Sequence, residues 1–107
     1  MNSFDTKPKD GYGFIYKYTS PSQKSYIGQT LKSLKERAKT STGVGYSKSP
    51  LFYRAISKYG FENFSYEILG EYPVEKLDEM EIYFIKYYNT MAPNGYNATE
   101  GGKNAWK

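Results

Sequence analysis

The chain has 107 residues, which is the usual size of a single domain. Hydrophobic residues make up 38% of it and charged residues 24%, so it has enough apolar surface for a small core. The absence of cysteine and histidine excludes disulfide scaffolds, zinc fingers and every mechanism that uses a thiolate or an imidazole. In an enzyme of this composition, proton transfer falls to tyrosine, lysine, carboxylates or metal-bound water.

The charge is unevenly divided along the chain. Residues 1–60 carry eleven lysines and arginines against three acids, whereas residues 61–107 carry four lysines against eight acids. This asymmetry predicts a polyanion-binding surface beside an element that carries carboxylates. No apolar stretch is long enough to span a membrane, and residues 1–10 lack the apolar run of a signal peptide. We therefore expect a cytoplasmic, non-secreted protein with a flexible arm over residues 1–10 and a short C-terminal tail over residues 103–107.

The first predicted elements form a β-hairpin. Residues 13–19 alternate in side-chain type with the period of a strand, and residues 25–28 form its partner after a turn at residues 20–22. Tyr16 and Tyr26 lie on these adjoining strands. We therefore expect their hydroxyls to share one face of the hairpin.

A short helix is predicted next, because Ser33 and Glu36 form a capping box. It should end near Lys39, and residues 40–47 have the composition of a flexible loop. Arg37 falls at the edge of the apolar side of this helix. Its planar guanidinium suits bidentate phosphate binding, although an arginine in this position is more often simply solvated.

A second helix and a third strand follow. Ser49 is predicted to cap the helix, Pro50 is its first residue, and Gly60 ends it. Residues 64–69 alternate as a strand, which periodicity alone leaves either parallel or antiparallel. With the final helix, the order ββααβα indicates an α/β (α+β) domain with a small sheet and helices around it.

The longest predicted helix, residues 74–88, places a carboxylate on its apolar face. At about 100° per residue, Glu81 lies about 40° from Leu77 and within the apolar arc. A buried carboxylate without a partner is costly, so such a residue normally has a metal, a functional role or an ion partner. We favour a functional role, and an ion pair with one of the many lysines is the alternative.

Several segments, in chain order, resemble motifs of the GIY-YIG nuclease family, the first two of them forming its paired motif. They are residues 13–16 (GFIY), residues 26–30 (YIGQT), Arg37 within SLKER, residues 51–64 (LFYRAISKYGFENF), Glu81 and residues 94–97 (NGYN). The resemblance covers roughly residues 11–102.

This resemblance implies a domain over residues 11–102 in which helices flank a three-stranded antiparallel sheet. It also implies phosphodiester cleavage with one divalent ion, Mg²⁺ or Mn²⁺, bound by Glu81; such ions take oxygen ligands and keep most of their waters. Many members of the family carry a histidine near the first or second helix. Here Thr40 and Ser47 occupy those neighbourhoods.

The remaining catalytic roles are also implied by the resemblance. Tyr16 or Tyr26 would help to deprotonate or orient the attacking water, and which of them acts is left open. Arg37 would neutralise charge on the phosphate, and Asn97 would position the site. Lys24 stands two residues before Tyr26, where its charge would favour the tyrosinate.

The basic half predicts contacts with the phosphates of DNA, which we expect to be double stranded. The candidate residues are Lys24, Lys32, Lys35, Lys39, Lys48, Arg54 and Lys58. The alternative is a nucleic-acid-binding module without catalysis, which predicts salt-sensitive binding and no metal-dependent cleavage. A structural interaction domain predicts neither. The sequence leaves open the oligomeric state and the choice among homing, restriction and repair roles.

Overall fold

In the computed structural model, which describes residues 3–102, three antiparallel strands form one sheet. Strands β1 (Tyr12–Thr19) and β2 (Ser25–Thr30) make the predicted hairpin, and β3 (Ser65–Pro73) pairs with the other side of β1. The predicted α+β class, the three-stranded antiparallel sheet and the element order are confirmed. The tail predicted over residues 103–107 lies outside the described residues.

Three helices complete the domain: α1 (Leu34–Ala38), α2 (Pro50–Tyr59) and α3 (Leu77–Tyr88). The predicted capping box is present, since the Ser33 hydroxyl accepts from the Glu36 amide and the Glu36 carboxylate accepts from the Ser33 amide. The positions of α1 and α2 agree with the sequence prediction, and α3 ends at the predicted residue. No helix within residues 3–102 has the length and apolarity needed to cross a bilayer.

The helices lie on both faces of the sheet, because apolar side chains alternate along β1 and β2. One face packs against α1 and α2, and its buried side chains are mostly aromatic; they include Tyr16, Tyr18, Tyr46, Phe52, Phe61 and Phe64. The opposite face packs against α3, and its buried side chains are Ile15, Ile27, Leu77 and Ile85. The site described below lies where these two layers meet at the edge strand β2.

Three local details differ from the sequence prediction. Strand β3 begins at Ser65 and continues to Pro73, beyond the predicted end at residue 69, because its full length pairs with β1. A 3-10 turn, Val74–Lys76, precedes the long helix. The loop over residues 40–47 contains a second 3-10 turn, Val44–Tyr46, whose last side chain is fully buried.

The described part of the N-terminal segment, residues 3–10, lies against the domain. Its Phe4 ring packs 5.2 Å from the ring of Tyr66, centroid to centroid. The backbone amide of Lys9 donates a hydrogen bond of 2.8 Å to the Glu71 carboxylate on β3. These contacts give the segment, which was expected to be an arm, a defined position in the fold.

Candidate functional site

Asn97 fastens the segment after α3 to the open edge of β2. Its side-chain oxygen accepts from the Ile27 amide at 2.9 Å and from the Thr90 hydroxyl at 2.8 Å, while its amide nitrogen donates to the Ile27 carbonyl at 2.9 Å. The neighbouring backbone amide of Tyr96 donates to the Ser25 carbonyl at 2.8 Å. Asn97, the predicted positioning residue, thus holds the part of β2 that carries Tyr26. The hydrogen bonds of its side chain are made with buried groups of Ile27 and Thr90.

The two tyrosines of the paired motif share one face of the hairpin, as the alternation predicted. Tyr16 lies opposite Gly28 in the register of β1 and β2, and its ring covers that glycine. A Cβ at Gly28 would lie 2.5 Å from Tyr16 Cζ, so the close approach requires glycine. Tyr16 is only 1% exposed, and burial raises the pKa of its hydroxyl well above the usual value.

Tyr46 supports both Tyr16 and Arg37, and sequence reasoning missed it. Its hydroxyl donates to the Tyr16 hydroxyl at 2.9 Å, and the Arg37 guanidinium lies 4.3 Å from the centre of its ring. Arg37 Nη1 also donates to the carbonyl of Gly45. The signal available in the sequence was a large aromatic residue inside a stretch of small, polar residues. It was missed because a residue in a predicted flexible loop is not expected to be part of the core.

Tyr26 is half-buried and occupies a different environment from Tyr16. Its ring stacks on Phe52, with centroids 4.2 Å apart. Burial raises the pKa of the Tyr26 hydroxyl, a hydrogen bond with the Ser49 side chain and the charge of Arg37 lower it, and the charge of Glu81 raises it.

Two expectations about the neighbours of Tyr26 are therefore corrected. Ser49 precedes α2 as predicted, but its side chain makes no capping hydrogen bond and instead lowers the pKa of the Tyr26 hydroxyl. The cation whose charge reaches the Tyr26 hydroxyl is Arg37, whereas Lys24 lies in the groove described below. The charge of Arg37 affects Tyr26 because α1, which carries Arg37, packs over the face of the sheet on which Tyr26 lies.

Glu81 is buried in α3, 7% exposed, as its place in the apolar arc predicted. Its Oε1 accepts from the Gly102 amide at 2.8 Å and from Gln29 Nε2 at 3.0 Å, and the same nitrogen donates to Asp78 at 2.9 Å. Burial raises the pKa of Glu81, and the bonds from Gly102 and Gln29 oppose this effect. Within residues 3–102 no lysine or arginine lies in salt-bridge range of Glu81, so the alternative of an ion pair is not found there.

Tyr26 and Glu81 line one cleft of about 200 Å³ although they belong to different layers of the fold. Lys48, which is exposed, and Asn97 line the same cleft. Arg37 does not line the cleft, but its charge lowers the pKa of the Tyr26 hydroxyl. The cleft therefore combines a buried carboxylate, a phenol with a perturbed pKa and a cation, a set that can bind and activate groups around a phosphate.

The residues of the cleft fit a hard divalent cation held by few protein ligands. The described chain has no group of three or more acidic residues that would form an all-protein cage. Mg²⁺ commonly binds one or two carboxylates and fills its other positions with water and substrate phosphates. Glu81 supplies one such carboxylate. Gln29, which does not line the cleft, bonds to Glu81 through its side-chain nitrogen, and its side-chain oxygen is buried with no hydrogen-bond partner among the described residues.

Four of the predicted DNA-binding residues gather on one side of the molecule. Lys24, Arg54 and Lys58 line a groove of about 410 Å³, and Lys48 lines the adjoining cleft. The groove and the cleft share Leu51 and Tyr96 in their walls.

The structure does not bring the remaining candidates to this surface. Lys35 lies 4.0 Å from the Asp5 carboxylate, and Lys39 ends α1. Neither residue lines the groove or the cleft, and the same holds for Lys32. Sequence position gave no basis for this separation, because all of these cations fall in the same basic half.

In comparisons with known proteins, no family model, no curated protein and no solved structure matches the chain significantly.

Proposed function

We propose that this protein is a metal-dependent endonuclease of the GIY-YIG type that hydrolyses phosphodiester bonds in DNA. The observation that carries the proposal is the meeting of Glu81 and Tyr26 in one cleft, with the charge of Arg37 acting on the tyrosine. Burying a carboxylate without a counter-charge costs stability, and this cost is understandable when the carboxylate has a ligand to bind.

The environments of the two tyrosines favour Tyr26 as the residue that handles the attacking water. Tyr16 is sealed in the core beneath Tyr46, so water has no access to its hydroxyl. Tyr26 lines the open cleft beside Glu81, and Arg37 and Ser49 oppose the effect of burial on its pKa. In its phenolate form, Tyr26 would accept a proton from water as the water oxygen attacks phosphorus and the P–O bond to the leaving group breaks.

Glu81 would hold Mg²⁺ or Mn²⁺, and this ion when bound supplies positive charge to the scissile phosphate and the leaving oxygen. Gln29 and the Gly102 amide fix the orientation of the carboxylate. Lys48 extends from the cleft wall, where its charge favours an approaching phosphate. Asn97 holds the segment that follows α3 against β2, so that the cleft has a defined shape.

The test is nicking of supercoiled plasmid at low salt by the wild type and by Glu81→Gln, each with Mg²⁺, Mn²⁺ or EDTA. We expect the wild type to need the metal and Glu81→Gln to lose cleavage, because glutamine keeps the hydrogen-bond acceptor but not the charge. Glu79→Gln is the matched control: this glutamate lies on the same helix, is exposed and faces Lys76 at 3.9 Å. It should cleave like the wild type.

The same assay separates the competing function. Salt-dependent DNA binding without cleavage in any metal would contradict the proposal and leave a nucleic-acid-binding module. Equal cleavage by the wild type and Glu81→Gln would remove Glu81 from the mechanism. Glu81→Gln should also retain DNA affinity, since the change removes a negative charge next to the phosphate path.

A further inference from the structure

The groove beside the cleft is lined by cations and carries no carboxylate in its walls. Lys24, Arg54 and Lys58 line it, and its other walls are neutral side chains that include Tyr59 and Tyr96. None of the three cations lies within 4.0 Å of a carboxylate oxygen of residues 3–102. By contrast, Lys35 and Lys76 elsewhere on the surface each have an acidic partner.

The three cations come from two elements that the fold holds in fixed relation. Arg54 and Lys58 are four residues apart on α2, so they project from one side of that helix. Lys24 lies in the hairpin turn, where the Ser20 hydroxyl accepts a hydrogen bond of 2.8 Å from the Tyr96 hydroxyl. The turn is thereby fastened to Tyr96 in the groove wall, so the backbone that carries Lys24 has a fixed position relative to the groove.

The hydroxyl of Tyr59 gives a second indication of positive potential in the groove. A hydrogen bond with the Ser22 side chain lowers the pKa of Tyr59, and the nearby charges of Lys58 and Lys24 lower it further. An environment that favours a phenolate also favours a phosphate, because both are oxyanions.

We propose that this groove is the binding site for the DNA strand next to the scissile phosphate, with Lys24, Arg54 and Lys58 each contacting one backbone phosphate. The groove and the cleft share Leu51 and Tyr96, so a strand whose phosphate lies between Tyr26 and Glu81 enters the groove directly. The identity of the ligand rests on the proposed function, whereas the location rests on charge and shape.

The proposal divides the basic residues of the chain into two groups with different effects on binding. A cation that contacts a phosphate releases counterions, so log Kobs falls against log salt with a slope of about −0.9 per phosphate. Removing one contact should therefore reduce the slope by about 0.9, whereas removing a lysine outside the groove should leave it unchanged.

The experiment measures the anisotropy of a short fluorescein-labelled DNA duplex, titrated with the full chain in EDTA from about 50 to 200 mM salt. The test variants are Lys24→Ala, Arg54→Ala and Lys58→Ala, all exposed residues whose replacement leaves the core intact. Lys35→Ala and Lys39→Ala are the matched controls, since both lie in the basic half but outside the groove. Circular dichroism checks that every variant is folded.

A smaller slope for each groove variant, with wild-type slopes for Lys35→Ala and Lys39→Ala, supports the proposal. Wild-type slopes for all groove variants, or a reduction in the two controls instead, would overturn it. Tighter binding of an RNA duplex of the same sequence would overturn the assignment to DNA. Because EDTA prevents metal-dependent cleavage, this experiment tests the groove separately from catalysis. If the groove variants reduce the slope but the wild type does not cleave DNA when metal is present, only the nuclease proposal is contradicted.

Discussion

The Tyr46 hydroxyl donates a hydrogen bond of 2.9 Å to the Tyr16 hydroxyl, in a part of the core where neither group reaches solvent. The same Tyr46 ring supports the Arg37 guanidinium on its face. One side chain from the loop between α1 and α2 therefore determines the position of two residues that the family resemblance singles out. The loop acts as a structural support of the site.

Replacement of Tyr46 tests this support. Tyr46→Phe should lower the free energy of unfolding by about 1 kcal/mol, because the Tyr16 hydroxyl loses its donor while the ring stays. Tyr46→Leu should cost more and slow cleavage further, since it also removes the aromatic face under Arg37. Urea denaturation and plasmid nicking measure the two effects. Tyr72→Phe on β3 is the control and should behave like the wild type.

Gly28 should tolerate no side chain as long as Tyr16 covers it. Gly28→Ala is expected to destabilise the protein by about 1–3 kcal/mol, because the new methyl group forces the Tyr16 ring to move. If this contact is the cause, Gly28→Ala should cost much less in a Tyr16→Leu background. Additive losses in the double variant would contradict this explanation, and chemical denaturation of all four proteins gives the answer.

Asn97 should be needed for stability as well as for the shape of the cleft. Asn97→Ala leaves the amide and the carbonyl of Ile27 without a partner, at about 1–3 kcal/mol for each buried group. Asn94→Ala in the same segment is the control; Asn94 is exposed, and its side chain makes only a weak bond of 3.4 Å. Thermal unfolding of the two variants should differ clearly, and equal stability would remove the structural role of Asn97.

The buried carboxylate of Glu81 should make stability depend on pH in a defined direction. Its pKa is raised in the folded state, so the folded protein holds this proton over a range where the unfolded chain has lost it. This contribution to stability is fully present below the unfolded pKa, about 4.3, and is lost as pH rises through the folded pKa. Glu81→Gln should therefore be more stable than the wild type at neutral pH, with a difference that grows as pH rises from 4. A stability difference between the two proteins that does not change with pH would contradict the raised pKa of Glu81.

The rate of cleavage should rise with pH if Tyr26 receives the proton of the attacking water. The pKa of Tyr26 is raised by burial, so the phenolate fraction is small at neutral pH and grows on the alkaline side. Tyr26→Phe should lose both most of the activity and this dependence on pH. A pH profile of nicking at saturating Mg²⁺ is the measurement, and an unaltered profile in Tyr26→Phe would assign the proton to another group.

Local features of the sequence were sufficient for much of the fold. Alternation along residues 13–19 and 25–28 predicted the hairpin, and the Ser33 capping box predicted where α1 begins. The angular position of Glu81 on α3 predicted its burial. These predictions succeeded because each depends on periodicity or on hydrogen bonds between residues close together in the chain.

What the sequence by itself determined is the set of elements and the faces that they bury, because those follow from backbone geometry over a few residues. Only the tertiary structure decided that Glu81 meets Tyr26 in one cleft, that Tyr46 supports Arg37 and Tyr16, and which basic residues share the groove. Most of these relations, such as those of Glu81 with Tyr26, Tyr46 with Tyr16 and Lys24 with Arg54, join side chains far apart in sequence. Their proximity is fixed by the packing of the helices and loops on the sheet, and for Glu81 and Tyr26 by the meeting of two layers from opposite faces, which no local pattern encodes.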